Sequence, residues 1–304
     1  MCMEPEHYFP SPSLCSTRWW SKETVAVVTG GNKGIGFALV KQFAELGLTV
    51  VLTARDYHKG QAALHALHQS HPLHANHIHF LLLDVSNPLS IKRFASSFQA
   101  KFGPTLDILV NNAGVSFNEL DENTVEYAKT VMKTNFYGPK LLIEALFPLF
   151  RCYSSSSSSS ISRVLNISSR LGSLNKLRNT KMREMLEREE LEEEEIEEMV
   201  KRFLEDVKNG RWENEGWPLH WTDYSVSKLA LNAYSRVLAK RQIRLSVNCF
   251  CPGFTQTSMT RGKGTHTADH AASLAATLAL LPPCHLPTGK FFLLGKTNTT
   301  TSKL

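Results

Sequence analysis

A chain of 304 residues, 42% apolar and 20% charged, is long enough to bury a large core and too apolar to stay disordered. No apolar run approaches the ~18 residues of a membrane span, so nothing here predicts a membrane partner. The net charge of +6 does not make a nucleic-acid binder, because Lys and Arg are spread along the chain, form no cationic stripe with aromatics, and the one dense charge run is acidic.

In chain order, Thr24 to Thr29 is an apolar, β-branched run and predicts a strand. Ile35 to Leu46 predicts a helix, with Phe37, Val40, Phe43, Ala44 and Leu46 on a broad apolar face and Gly47 as its stop. Thr49 to Thr53 and Ile78 to Leu83 predict the second and third strands. Pro88 opens a helix to about Phe102, with Asn87 as candidate cap and Gly103-Pro104 at its end. Asp107 to Asn111 is a fourth strand, about Thr124 to Phe150 a long helical region, and Arg163 to Ser168 a fifth strand. Thr222 to about Arg241 is helical, Arg244 to Phe250 a sixth strand, Ala268 to Leu281 a helix and Phe291 to Leu294 a last strand. Strands alternating with helices of this length predict an α/β fold, a doubly wound parallel sheet of the Rossmann type. The strands are nearly all apolar, as burial on both faces requires.

Residues 23–304 read as one such domain behind a flexible tail, 1–22, whose Trp19-Trp20 pair is expected to pack on it. The tail lacks the apolar core of a secretory signal, and Glu4 and Glu6 count against a transit peptide, although organelle targeting stays open. The six cysteines, Cys2, Cys15, Cys152, Cys249, Cys251 and Cys284, fit neither a zinc spacing nor a disulfide framework, which predicts reduced thiols in the cytoplasm. Two stretches break the alternation. Ser154 to Ser160 is an unbroken serine run, read as a flexible loop. Residues 170–221 are an insertion, in which Lys181 to Asp206 carries 12 acids and five bases. There Ile196, Met199, Val200, Phe203 and Val207 fall at helical spacing, predicting an amphipathic helix with a solvated acidic face and no bound cation. Histidines 65, 68, 71, 74, 77 and 79 are irregularly spaced across Pro72, which predicts no metal site.

Two motifs carry chemistry. Thr29-Gly30-Gly31-Asn32-Lys33-Gly34-Ile35-Gly36 follows a strand and opens a helix, the context of a dinucleotide loop. Glycines allow positive φ and close approach to a pyrophosphate, and the helix N-terminus offers free N–H groups to it. At the end of the second strand, where an acid would select NAD, the chain reads Ala54-Arg55-Asp56. Arg55 with Lys33 suits a ribose 2′-phosphate, so NADPH/NADP+ is the expected cofactor; Asp56 is the discordant neighbour. The second motif is Tyr224-Ser225-Val226-Ser227-Lys228. Residues four apart share a helix face, and a nearby ammonium pulls a phenol, ordinarily of pKa ~10, toward general acid–base work.

With Asn111-Asn112-Ala113-Gly114, Asn166-Ile167-Ser168-Ser169 and Pro252-Gly253 with Thr257, these motifs stand in the order found in one family. Over about residues 20–295 the chain resembles the short-chain dehydrogenase/reductases. The insertion ending Gly216-Trp217-Pro218 resembles the carbonyl reductase-like branch, which holds monomeric carbonyl reductases and the menthone and salutaridine reductases of plant specialised metabolism. The resemblance implies reduction of a ketone or aldehyde carbonyl, a small-molecule substrate, to an alcohol. It implies Tyr224 as proton donor, Lys228 on the nicotinamide ribose, Ser169 (with Ser168 as fallback) on the carbonyl oxygen, and Asn135 anchoring a relay water. Gly30, Asn32, Lys33, Gly34, Ile35, Gly36 and Arg55 would bind the phosphates. Asp84 and Val85 would line the adenine pocket, Asn111 and Gly114 would support the cofactor, and Pro252, Gly253 and Thr257 would cradle the nicotinamide. Arg261 to Gly264 could form a lid. The insertion helix is expected beside the helix of Tyr224, where many relatives pair subunits, which favours a monomer. The competing reading is an NADP(H)-binding sensor without turnover; such proteins usually lack part of the serine–tyrosine–lysine set, and this chain keeps all of it.

Overall fold

Alternate residues of the apolar runs face opposite ways, and each face finds its own helices. Val25 and Val27 point into one core, Ala26 and Val28 into the other. The computed structural model describes residues 18–117, 124–151, 161–294 and 299–302; the serine run and residues 1–17 of the tail lie outside them. The strands are β1 (Val25–Val28), β2 (Thr49–Ala54), β3 (Ile78–Leu82), β4 (Leu106–Asn111), β5 (Ser162–Ile167), β6 (Leu245–Cys251), β7 (Phe291–Leu294) and β8 (Thr299–Ser302). They form a single sheet in the order β3-β2-β1-β4-β5-β6-β7-β8. β1 to β7 pair in parallel, and β8 pairs antiparallel to β7. That antiparallel edge is absent from the sequence reading, because its run of Thr and Ser has no apolar face to mark it.

Helices α1 (Gly34–Glu45), α2 (Tyr57–Ser70) and α9 (Ala268–Ala279) cover one face. On the other lie α3 (Pro88–Phe102), α4 (Val125–Met132), α5 (Gly138–Leu146), α6 (Thr180–Glu187), α7 (Glu193–Lys208) and α8 (Thr222–Arg241). α3 begins as expected: Pro88 sits in its first turn, and the Asn87 side chain accepts from the N–H groups of Leu89 and Ser90. α2 has no counterpart in the sequence reading. It buries only Gly60, Ala63 and Leu67, too short a stripe to show as a period. Gly60 makes room for Phe80, whose ring a Cβ there would approach to 2.2 Å.

The long helical region after Thr124 is two helices joined by a π-turn, Lys133–Tyr137. The insertion likewise holds two helices rather than one. Glu192 starts α7 through a capping box with Glu195, which ends the run from α6. The five apolar residues expected on one face of α7 are all buried, against α4 and α8. Lys140 on α5 clamps the insertion from below, with Nζ 2.6 Å from Glu193, 2.7 Å from Glu144 and 3.3 Å from Glu197. Burial opposes its charge, but the carboxylates of Glu144 and Glu193 outweigh that and hold its pKa above the ordinary lysine value. At the insertion's end Trp217 is fully buried, edge-on to Phe203, and its indole N–H donates to Asp206 Oδ2 at 3.0 Å. From the tail, Trp19 donates to the Leu280 carbonyl and Trp20 to that of Leu46, so both rings lie against the α1 and α9 layer.

Trp217 therefore combines core volume with a buried polar bond. Trp217→Ala should cost about 3–5 kcal/mol in urea unfolding, and Trp217→Phe about 1–2 kcal/mol, since it keeps most of the ring and removes the indole N–H bond to Asp206. A Trp217→Phe variant as stable as the wild type would show that the indole N–H contributes nothing.

Candidate active site

Parallel strands deliver their following loops to one edge of the sheet, and here the loops after β1, β4, β5 and β6 meet beside the N-terminal half of α8. The crevice opens where the chain order reverses, between β1 and β4. Gly30 and Gly34 take positive φ (63° and 56°), and a Cβ on Gly36 would stand 2.5 Å from the Gly30 carbonyl oxygen. α1 starts at Lys33 with no capping side chain and no acid in its first turn. An uncapped helix N-terminus above a glycine turn is a receptor for an anion. Asn32 and Ile35 line the same turn, half-buried.

Arg55 stands exposed at the end of β2. The Asp56 carboxylate turns into α2 and accepts from the Lys59 N–H at 2.9 Å, a bond that holds its pKa below the ordinary value. Lys33 Nζ donates across the crevice to Ser258 Oγ at 3.0 Å. The Asp84 carboxylate accepts from the N–H and hydroxyl of Ser86, at 3.0 and 2.7 Å, and Val85 is buried behind it against Gly138.

The two adjacent asparagines at the end of β4 divide their work in a way the sequence does not show. Asn111 is buried and donates to Asn166 Oδ1 on β5 at 2.8 Å. Asn112 faces the crevice and grips the glycine turn, with Nδ2 2.8 Å from the Thr29 carbonyl and 3.3 Å from that of Gly30. Its main-chain N–H and that of Ala113 both donate to Thr29 Oγ1 at 2.9 Å. Only the order of the motif hinted at this.

Tyr224, Lys228, Ser169 and Asn135 converge. Ser169 lies half-buried, near enough to the Tyr224 phenol for its hydroxyl to pull the phenol's pKa down. Ser168 points the other way, buried, with its hydroxyl on Asn232 Oδ1 at 2.5 Å. Lys228 is 4% exposed; Nζ donates to the Ile167 carbonyl at 2.8 Å and lies 5.6 Å from the Tyr224 ring centroid. Burial lowers Lys228 to about 8, against smaller upward pulls from Cys249 and Cys251. Burial pushes the Tyr224 phenol above its ordinary value, Cys251 adds to this, and the Ser169 hydroxyl opposes it. In the bare protein the phenol thus keeps its proton.

Asn135 sits in the π-turn, fully buried, a setting common at functional sites. Its amide donates to the Val115 carbonyl at 2.9 Å and to Ser227 Oγ at 3.1 Å, and Oδ1 accepts from the Val115 N–H at 2.9 Å. Gly114 separates it from the lysine: a Cβ there would lie 3.4 Å from Asn135 Oδ1 and 3.8 Å from Lys228 Nζ.

Pro252 is buried, Gly253 has φ 72°, and Thr257 caps a short 3-10 turn with Thr260. The loop that follows is tied down. Gln256 and Thr265 bond to His266 and Phe254, and the Arg261–Gly264 segment folds back onto Thr257 and Thr260. Sequence reasoning missed Trp221, which enters α8 with a left-handed φ of 51°. Its ring stands edge-on to Tyr224 at 6.2 Å and stacks with His220 at 5.5 Å, making an aromatic wall beside the phenol. Among the described residues, no cluster of His, Cys, Asp or Glu is placed to hold a metal ion.

Known proteins match this chain over nearly their whole length. The profile described as short chain dehydrogenase matches residues 24–181. The (+)-neomenthol dehydrogenase of Arabidopsis thaliana is 37% identical over 287 residues, 88% of this chain and 95% of that protein. The NADPH carbonyl reductase 3 of Rattus norvegicus is 36% identical over 269 residues, 85% of this chain and 91% of that protein. The solved structure of salutaridine reductase from Papaver somniferum superposes with a TM-score of 0.79 at 36% identity, covering 88% of this chain and 99% of that one. The chain belongs to the short-chain dehydrogenase family.

Proposed function

We propose that this protein reduces a ketone or aldehyde carbonyl to an alcohol with NADPH, and that Tyr224 supplies the proton. The observation that carries this reading is the meeting of Ser169, Tyr224 and Lys228 at the mouth of the glycine-turn crevice. The names of its relatives, a neomenthol dehydrogenase, a salutaridine reductase and an NADPH carbonyl reductase, support the same reaction class.

The crevice fits NADPH by its donor set. The uncapped start of α1, with Gly30, Asn32, Gly34, Ile35 and Gly36, would hold the pyrophosphate. Arg55 and Lys33 would hold the 2′-phosphate, because Asp56 is engaged as a helix cap and does not compete. Asp84 and Val85 would flank the adenine, and Asn111, Gly114, Pro252, Gly253 and Thr257 would support the nicotinamide end. When bound, the cofactor supplies a hydride to the carbonyl carbon.

The chain's residues do the rest. The Ser169 hydroxyl and the Tyr224 phenol hydrogen-bond the carbonyl oxygen as negative charge grows on it, and Tyr224 Oη gives up its proton. Lys228 places positive charge behind the phenol and holds the nicotinamide ribose. Both amide protons of Asn135 are committed, so a relay water is held by one of its oxygens. We further read residues 23–304 as one reductase domain, with 1–22 as a tail and 170–221 as a helical insertion. α7 occupies the flank of α4 and α8, which favours a monomer. Free Cys249, Cys251 and Cys284 accord with the cytoplasm, and no helix among the described residues is long and apolar enough to cross a membrane.

NADPH oxidation measured with a panel of ketones, aldehydes and quinones tests the reaction. Tyr224→Phe should lose about 10²- to 10⁴-fold in turnover while still binding NADPH; equal rates in the two proteins would refute the assignment. Arg55→Ala should weaken NADPH about 10- to 100-fold and NADH far less, the loss of one charge-assisted contact. A uniform loss for both cofactors would remove Arg55 from the 2′-phosphate. The pH profile follows from Lys228. Lowered to about 8, it keeps its charge below that pH and loses it above, so kcat/KM for NADPH should fall as pH rises through that value. A profile that stays flat well above it would show that the ammonium is not needed.

A further inference from the structure

Asn232 lies one turn beyond Lys228 on α8 and has no access to solvent. Tyr224, Lys228 and Asn232 recur every four residues, so the three share one face of the helix. Neither motif of the sequence includes Asn232. Its side chain holds the two ends of the segment that carries Ser169. Oδ1 accepts from Ser168 Oγ at 2.5 Å, and Nδ2 donates to the Gly172 carbonyl at 3.1 Å.

Between those grips the chain is a closed 3-10 turn. The Gly172 N–H donates to the Ser169 carbonyl at 2.9 Å, and the Leu171 N–H to Ser169 Oγ at 3.2 Å. The turn lies flush on α8: a Cβ on Gly172 would stand 2.4 Å from the Lys228 carbonyl carbon and 2.6 Å from the Leu229 nitrogen. From the β6 side, Cys251 Sγ accepts from the Arg170 N–H at 3.1 Å. The turn is therefore held on both sides, and on the helix side the hold is one amide.

We propose that Asn232 is a positioning residue for the reaction: it sets the Ser169 hydroxyl at the height of the Tyr224 phenol. The inference rests on the reductase reading above, in which both hydroxyls serve one carbonyl oxygen. An amide suits the task because the donor from Ser168 and the acceptor on Gly172 need opposite partners on a single side chain. A carboxylate would set an oxygen against the Gly172 carbonyl, and a leucine would leave both buried groups unpaired. Because two hydroxyls must meet one oxygen, a shift of the turn by an ångström is enough to weaken one contact without disturbing the cofactor crevice.

A double-mutant cycle on kcat reads this directly. Asn232→Ala should lower kcat about tenfold in the wild-type background, with the KM for NADPH little changed. In a Ser169→Ala background the same change should alter kcat by less than about twofold, because the hydroxyl it positions is gone. Equal factors in both backgrounds, or an unchanged kcat in the first, overturn the inference while the reductase reading stands. A Ser169→Ala enzyme as fast as wild type overturns the role of Ser169 and this inference with it. If Asn232→Ala does not fold, Ser168→Ala removes one grip only. It should lower kcat several-fold with Ser169 present and add nothing without it, and independent effects overturn the inference.

Discussion

An ammonium group with almost no contact with water, that of Lys228, sits at the carboxyl end of the sheet, and the site is arranged around it. Its Nζ has the Ile167 carbonyl as acceptor at the end of β5, and burial still lowers its pKa to about 8. Below that pH the fold carries a charge that the unfolded chain would hold more easily, and the penalty eases as pH rises from there toward the ordinary lysine value of 10.5. A group held at such a cost needs rigid walls. They are supplied by α8, which is buried along most of its length against β6, α4 and α7, so its sequence shows little amphipathic contrast.

The same sheet edge explains why short, separate pieces of sequence form one site. Each parallel strand ends at this edge, so a residue one or two places past β1, β4, β5 or β6 is brought to the crevice whatever its distance along the chain. Side-chain bonds then fix these loops to one another. Asn112 joins the loop after β4 to that after β1, and Asn111 joins β4 to Asn166 on β5. Asn166 in turn donates to Ser235 on α8. These bonds join residues distant in sequence, and such a network fixes geometry more tightly than apolar packing alone.

Legibility in the sequence follows the range of the force involved. α3 was readable because Asn87 and Pro88 act locally, and β7 because its apolar run is cleanly bounded. α2 was not, since its buried stripe is short and its fit on the sheet depends on Gly60 making room for Phe80, 20 residues away. The π-turn at Asn135 was hidden for the same reason: nothing nearby in sequence marks the extra residue, while Val115 and Ser227 hold it from outside. In the site, the glycine turn and the tyrosine–lysine pair are set by spacing and could be read. Asn112, Trp221 and Asn232 act across loops. From the sequence each is one polar or aromatic residue among many.

Arg55 and Asp56 show how local geometry separates charges that composition would cancel. In sequence they are an adjacent cation and anion, and a reader weighing net charge alone would expect no preference at the ribose. The chain leaves β2 and enters α2 between them. Asp56 keeps an extended backbone (φ −111°, ψ 121°), which aims its carboxylate into the free N–H groups of the new helix. There the carboxylate is stabilised by the Lys59 N–H, below its ordinary pKa. Arg55, one residue earlier and just past the strand, gains nothing from that helix start and stays exposed. The helix that follows the strand thus takes the anion for its own capping and leaves the cation beside it exposed.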